Sequence, residues 1–178
     1  ALYAALDGAM AGAPARVWRS ATGDPGTWTP VGAPGLGDGA NRAVSSLAVF
    51  SGTLHAGTCH AGGSPQVWRL DATGAAWEPA GAFVAPEGGA QRADLGPALG
   101  AARDCVAALE PFDGGLYALV AQPPSLAGWW TGAAGIELWR CCEAEGPWFP
   151  AAAAGFGAPG ARGAGLLAPF GAPPLRAL

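Results

Sequence analysis

Lysine is missing from this chain: all nine basic residues among its 178 are arginine. With Ala, Gly and Pro dominating the composition, that absence reads as the coding bias of a GC-rich genome before it reads as a functional device. Charge is scarce as well, at 12% of residues with a formal net charge of −4 and no basic run. The electrostatic footprint that nucleic-acid binding requires is therefore missing, and DNA and RNA are not expected partners. No stretch of about 18 apolar residues runs without Gly or Pro breaks, so no spanning helix is expected. The four cysteines contain no Cys-x-x-Cys pair. The chain opens at Ala1, without Met and inside a strand pattern. It is expected to be processed or cut from a longer polypeptide, with any signal peptide out of view.

What the chain does have is punctuation. Gly 30 and Pro 17 together exceed a quarter of it, while the hydrophobic fraction is 51%. Regularly spaced tryptophans turn that mixture into many short strands joined by turns and argue against disorder. Six of the eight tryptophans belong to one unit. Val67-Trp68-Arg69 is followed by Trp77-Glu78-Pro79, with Thr73-Gly74 between them; Val17-Trp18-Arg19 is followed by Trp28-Thr29-Pro30; Leu138-Trp139-Arg140 is followed by Trp148-Phe149-Pro150. Each reads as strand, tight turn, strand.

Hairpins alternate with these pairs. Ser46 to Phe50, a turn at Ser51-Gly52, and Leu54-His55-Ala56 form one. Leu109 to Phe112, Asp113-Gly114 and Leu116-Tyr117-Ala118 form the next, and Leu167 to Phe170, Gly171 and Leu175-Arg176-Ala177 a third. Trp28, Pro30, Gly35, Gly37, Arg42, Leu47 and Phe50 have counterparts at Trp148, Pro150, Gly155, Gly157, Arg162, Leu167 and Phe170, all displaced by 120 residues without a gap. That displacement spans two units of about 60 residues, longer than the roughly 40 to 50 of familiar propeller blades. The excess falls in the connectors 84–103 and 122–135.

A sheet of a few short strands cannot bury both faces alone. Stacking like sheets around an axis does bury them, with each tryptophan ring supplying on the order of 150 to 250 Å2 of contact. The expected fold is therefore all-β, built of antiparallel β-propeller blades: two complete and two partial, within one domain over 1–178. The repeats are expected at about 1–44, 45–106 and 107–165, with a partial one at 166–178. Propellers close with four to eight blades. The chain is accordingly expected to be a segment of a longer propeller or to exchange strands head to tail with copies of itself.

The unit Leu-Tyr-Ala, Val-Trp-Arg, turn, Trp-x-Pro resembles the Asp-box, or bacterial neuraminidase-type, β-propeller repeats, in which an Asp-x-Gly-x-x-Trp turn joins the third and fourth strands. Asp24-Pro25-Gly26-Thr27-Trp28 is one residue short of that pattern, the turn from Asp71 to Trp77 has its Asp one place early, and Glu145-Gly146-Pro147-Trp148 lacks the Asp. In sialidases of this family an arginine triad binds the substrate carboxylate, with Tyr and acidic residues performing catalysis. The resemblance thus implies an alternative function, a fragment of a sialidase-like glycan-processing enzyme. No Phe-Arg-Ile-Pro-like stretch occurs, and Arg19, Arg69 and Arg140 occupy one equivalent place in successive units. Three repeated arginines serve three repeated structural jobs. Each is expected on the face opposite its neighbouring Trp, pairing with a carboxylate or carbonyl of the next blade.

Other candidates are weighed in the same way. His55, Cys59 and His60 have a spacing open to metal ligation, but His55 fills the slot held by Tyr3 and Tyr117, a packing position, and no second ligand pair exists; no metal or cofactor is expected. The even cysteine count permits two disulfides among Cys59, Cys105, Cys141 and Cys142 in three connectivities, with free buried thiols the alternative. Glu87, Asp94, Asp104 and Glu110 gather around the second connector, where scattered acids are usually solvated, so no catalytic residue is assigned. Trp129-Trp130 interrupts the pattern within an insertion and is the candidate ligand contact for sugar or protein; the bland reading is that the pair caps the domain's own core. The expected function is a non-enzymatic, lectin-like or scaffold module, extracellular or secreted, that engages protein or glycan through its loops and self-assembles head to tail.

Overall fold

The computed structural model describes residues 1–7, 12–61, 65–83, 105–121, 136–144, 146–158 and 167–169. The described residues carry antiparallel strands and no α-helix: β1 Leu2–Leu6, β2 Arg16–Ser20, β3 Thr29–Val31, β4 Asn41–Phe50, β5 Thr53–His60, β6 Val67–Leu70, β7 Trp77–Pro79, β8 Cys105–Phe112, β9 Gly115–Ala121, β10 Glu137–Cys141 and β11 Phe149–Pro150. They form a three-stranded sheet, β1-β2-β3, and an eight-stranded sheet in the order β11-β10-β9-β8-β5-β6-β7 with β4 on β5. The larger sheet curls into a half-barrel.

Chain order and pairing resolve the larger sheet into two meanders of four strands, β4 to β7 and β8 to β11, each strand pairing with the next. With β1 to β3 they are called here the first, second and third groups. In all three groups the central tryptophan faces the edge proline across the ladder: Trp18 opposite Pro30, Trp68 opposite Pro79 and Trp139 opposite Pro150. An edge strand tolerates Pro because one of its sides needs no ladder donor, and the ring gives the indole an apolar cross-strand neighbour.

The second and third groups meet along a narrow seam. The ladder between β5 and β8 is a single pair, Cys59 opposite Cys105, and those two cysteines form a disulfide. Beside it β4 slips register twice, between Asn41 and Ala43 and between Val44 and Ser46. These bulges turn the Ser45 and Ser46 hydroxyls onto one acceptor, the Val106 carbonyl, at 2.6 and 3.1 Å. Gly57 makes the approach possible, because a Cβ there would lie 2.6 Å from Val106 Cγ1 and 2.5 Å from Ser46 Oγ.

Two apolar layers fill the gaps between groups. Val17, Val31 and Leu36 of the first group pack with Ala56, Trp68, Leu70 and Trp77 of the second. Phe50, Val67 and Ala80 of the second pack with Val106, Leu109, Leu116, Trp139 and Trp148 of the third. The side of β6 follows the alternation expected of a strand, Val67 entering one layer while Trp68 and Leu70 enter the other.

One strand boundary is corrected. The glycine-rich stretch from Gly35 to Arg42 is not all connector: a tight turn occupies Pro34–Gly37 and β4 already begins at Asn41. The bulges let this longer strand follow β5 to His60. The expected last hairpin lies outside the described residues except for 167–169.

The crosslink closes a segment of sequence separation 46, for which loop-closure entropy gives about 4 kcal/mol of stabilisation. A Cys59→Ala, Cys105→Ala double variant is expected to lose on the order of that amount in denaturant unfolding. Adding reductant should lower the wild type to the same level and leave the variant unchanged.

Candidate interaction surface

The tryptophans do two different jobs. Those of the central strands are satisfied locally by the residue two places earlier: Trp68 Nε1 donates to Gln66 Oε1 at 2.9 Å and Trp139 Nε1 to Glu137 Oε2 at 2.9 Å. In the first group that place holds Arg16, which has no acceptor, and the Trp18 indole nitrogen is buried without a partner. Those of the edge strands reach the preceding group instead. Trp77 Nε1 donates to the Val31 carbonyl at 3.1 Å, and Trp148 Nε1 to the Ala80 carbonyl at 2.7 Å. Val31 and Ala80 each stand three residues after the edge tryptophan of their own group. Gly32 provides the seat for the Trp77 ring, since a Cβ there would lie 2.7 Å from Trp77 Cδ1. Phe83 completes the second junction, stacked on Trp148 and edge-on to Trp139.

The arginines are engaged separately. Arg69 donates through Nη2 to Glu78 Oε2 at 2.7 Å, its cross-strand neighbour. The Arg140 guanidinium lies 5.6 Å from the centre of the Tyr117 ring, again a cross-strand neighbour. Both partners sit in the arginine's own group, correcting the expectation that they belong to the next one; a register neighbour is reached without bending the chain. Arg19 extends forward, its Nη1 beside Gly74 in the turn of the second group.

The turns between central and edge strands are held by three unlike side chains. Asp71 Oδ1 accepts the N–H groups of Ala75 and Ala76, and its Oδ2 accepts the Thr73 hydroxyl. The Thr73 hydroxyl, followed by these backbone donors, holds the Asp71 carboxyl below its ordinary range. In the first group Ser20 Oγ accepts from the N–H of Thr22 and Gly23, so the expected Asp24 role passes to Ser20 while Asp24 contributes its main-chain carbonyl to Thr27. In the third group the Cys141 thiol points at the carbonyls of Glu143 and Gly146, at 2.7 and 3.2 Å. Burial pushes that thiol's pKa up and keeps it a donor.

Cys141 and Cys142 are both free, one buried and the other exposed, so of the two disulfides the count permits only Cys59–Cys105 forms. Adjacent strand positions face opposite ways, and no partner cysteine lies opposite either. His55, Cys59 and His60 do not converge. His55 is buried against Phe50, Cys59 is in the disulfide, and His60 Nε2 meets Asp38 Oδ2 at 3.1 Å. Asp38 is held below the ordinary carboxylate range first by the Ala40 N–H, with burial opposing it and Gln66 and His60 adding to the lowering. Among the described residues no group of three His, Cys, Asp or Glu side chains is placed to hold a metal ion. Glu110 is half-buried in β8. Glu87, Asp94, Asp104, Trp129 and Trp130 lie outside the described residues, and with them the expected ligand contact.

Large apolar side chains are nevertheless exposed: Leu2 and Leu6 on the first group, Val49 on the second, and Phe112, Phe149 and Phe156 on the third. Among the described residues no helix is long and apolar enough to cross a membrane. Comparison with family models, curated proteins and solved structures finds no match to this chain.

Two measurements check this account. Arg16→Gln places an acceptor where Gln66 and Glu137 stand, and is expected to raise the unfolding free energy by about 1 kcal/mol by pairing the Trp18 N–H. His55 bears on pH. Its ring meets the carbonyls of Thr53 and Ala144, but burial dominates and lowers its pKa from the usual value. The unfolded chain therefore binds this proton more readily than the folded one. Stability is complete above the unfolded value of about 6.5 and is lost as pH falls below it toward the folded pKa. Thermal midpoints should decline over that acidic range in the wild type and more weakly in His55→Gln.

Proposed function

We propose that this chain is a non-enzymatic binding and assembly module of β-propeller type, with degenerate Asp-box-like turns. The observation that carries the reading is the bond between groups: Trp77 Nε1 to the Val31 carbonyl and Trp148 Nε1 to the Ala80 carbonyl. One donor place reaches one acceptor place in successive groups. Small antiparallel sheets stacked through a repeated contact are the material of a propeller, and the two turns displaced by 120 residues share a backbone conformation, with φ of 64° and 63° at Gly35 and Leu36 and 62° and 54° at Gly155 and Phe156. These parallels support the repeat reading.

The non-enzymatic part is supported by the engagement of the residues that would otherwise do chemistry. Arg69 is on Glu78, Arg140 on Tyr117, His60 on Asp38, and Cys59 in a disulfide. Function on such a scaffold sits on what departs from the pattern, which here is the Trp129-Trp130 insertion, and its partner is a protein or glycan. The disulfide supports an extracellular or secreted location, because such bonds persist in oxidising compartments.

A glycan array probed with the full chain is expected to show binding that Trp129→Ala and Trp130→Ala each abolish; silence toward every sugar would leave only the protein-binding form of the proposal. Hydrolysis of a fluorogenic sialoside, lost in Arg69→Ala, would overturn the proposal in favour of a sialidase-like enzyme.

A further inference from the structure

We infer that the two outer sides of the stack are the two halves of one copy-to-copy interface, the third group of one molecule docking on the first group of a second copy of this chain. The inference deepens the assembly reading above and rests on the groups being stacked units. Its warrant is a set of equivalent places that are buried inside the chain and bare at its outer sides. Phe50, at the tip of the β4–β5 hairpin, is 7% exposed because the third group covers it, whereas Phe112, at the tip of the β8–β9 hairpin, is 52% exposed. Leu36 is 2% exposed under the second group, and Phe156, in the same turn 120 residues on, is 59% exposed.

Phe156 sharpens the point. A non-glycine residue at φ 54° strains its backbone by roughly 1 to 2 kcal/mol. Leu36 accepts the same conformation at φ 63° while gaining full burial of its side chain. Phe156 has the strain without the burial, a combination that a covering sheet would resolve.

The opposite side shows the complementary deficit. Leu116, one residue before Tyr117 in β9, is 1% exposed against the second group, but Leu2, one residue before Tyr3 in β1, is 56% exposed. Edge tryptophans Trp77 and Trp148 are buried on the preceding group, and Trp28 is only half-buried. Leu2, Ala4 and Leu6 share one side of β1 by strand alternation, and Trp18 faces Ala4 across the ladder. An apolar first side and an apolar last side, each matching half of an interface the chain already makes twice, describe a heterologous contact that leads to a ring or an open filament. The joint is weaker than the internal ones. Ala152 stands where Gly32 and Gly81 stand, and its methyl keeps a docking ring from the closest approach.

Sedimentation velocity of the full chain over a range of concentrations tests this, with near-UV circular dichroism reporting the packed tryptophans. Phe156→Arg blocks the last side and Leu2→Arg the first; both side chains are exposed, so folding is retained. The wild type is expected to sediment faster as concentration rises, each variant alone to remain a monomer, and their equimolar mixture to give a dimer, since each keeps one working side. A wild type that stays monomeric throughout with its near-UV signal intact overturns the inference and leaves the stacked reading standing. A variant that associates like the wild type, or a mixture that yields no dimer, overturns it equally. A wild type lacking the near-UV signal sinks the stacked reading and the inference together.

Discussion

An edge tryptophan here has to bury a large ring and still pair its indole N–H, and the short edge strand at which it stands does not do this for it. Trp77 and Trp148 solve both requirements by reaching the group before them, to the carbonyls of Val31 and Ala80. The bond fixes where one sheet sits on the next, because a buried indole donor left unpaired would cost about 1 to 3 kcal/mol. Much of the local chemistry follows from that placement. The ring needs a flat seat, so a glycine stands at 32; the strand bearing the acceptor must stop there, so Pro30 and Pro79 close their edges and positive φ at Gly32 and Gly81 turns the chain away.

The second and third groups need more than this contact. Their apolar layer adds Phe50 and Phe83 to the tryptophans. It is backed by a seam in which every part is polar or small: a disulfide, two serine hydroxyls on one carbonyl, and a glycine. A single cross-strand pair would not hold β5 and β8 together through hydrogen bonds. The covalent bond takes over where the ladder is too short, and the paired bulges in β4 and β8 bend both strands toward it. The first group is joined to the second by packing, by the Trp77 bond, by the Ala15 N–H donating to the Asn41 carbonyl and by the short chain passing from β3 to β4.

Much of this was legible in the sequence. Strand, turn and strand at Trp18 and Trp28, Trp68 and Trp77, and Trp139 and Trp148 appear where the spacing puts them, and His55 is the packed residue that its equivalence to Tyr3 and Tyr117 implied. Three things were not legible. The two tryptophan classes look alike in sequence, yet one is satisfied within its strand and the other across a junction, a distinction that only the stack creates. Ser20, Asp71 and Cys141 hold equivalent turns by accepting or donating hydrogen bonds, but their chemistry is too unlike for a pattern to collect them. The pairing of Cys59 with Cys105 depends on β5 meeting β8, a tertiary register, and the chain between them, at a sequence separation of 46, carries no sign of it.

The distribution of polar side chains bears on where function resides. A titratable group that is buried where groups of strands pack together must be neutralised or paired there. His55 is kept neutral by burial, Asp38 and His60 are paired with each other, and Arg69 and Arg140 are covered by a carboxylate and a ring in register. Each pairing uses a group that chemistry on a ligand would need free. The proposed recognition rests on other side chains, Phe112 and Phe156 among them, which are exposed at places whose equivalents Phe50 and Leu36 are buried. A phenylalanine exposed at a place whose equivalent is buried is suited to contact by shape and apolar area, and this supports the proposed binding and assembly reading.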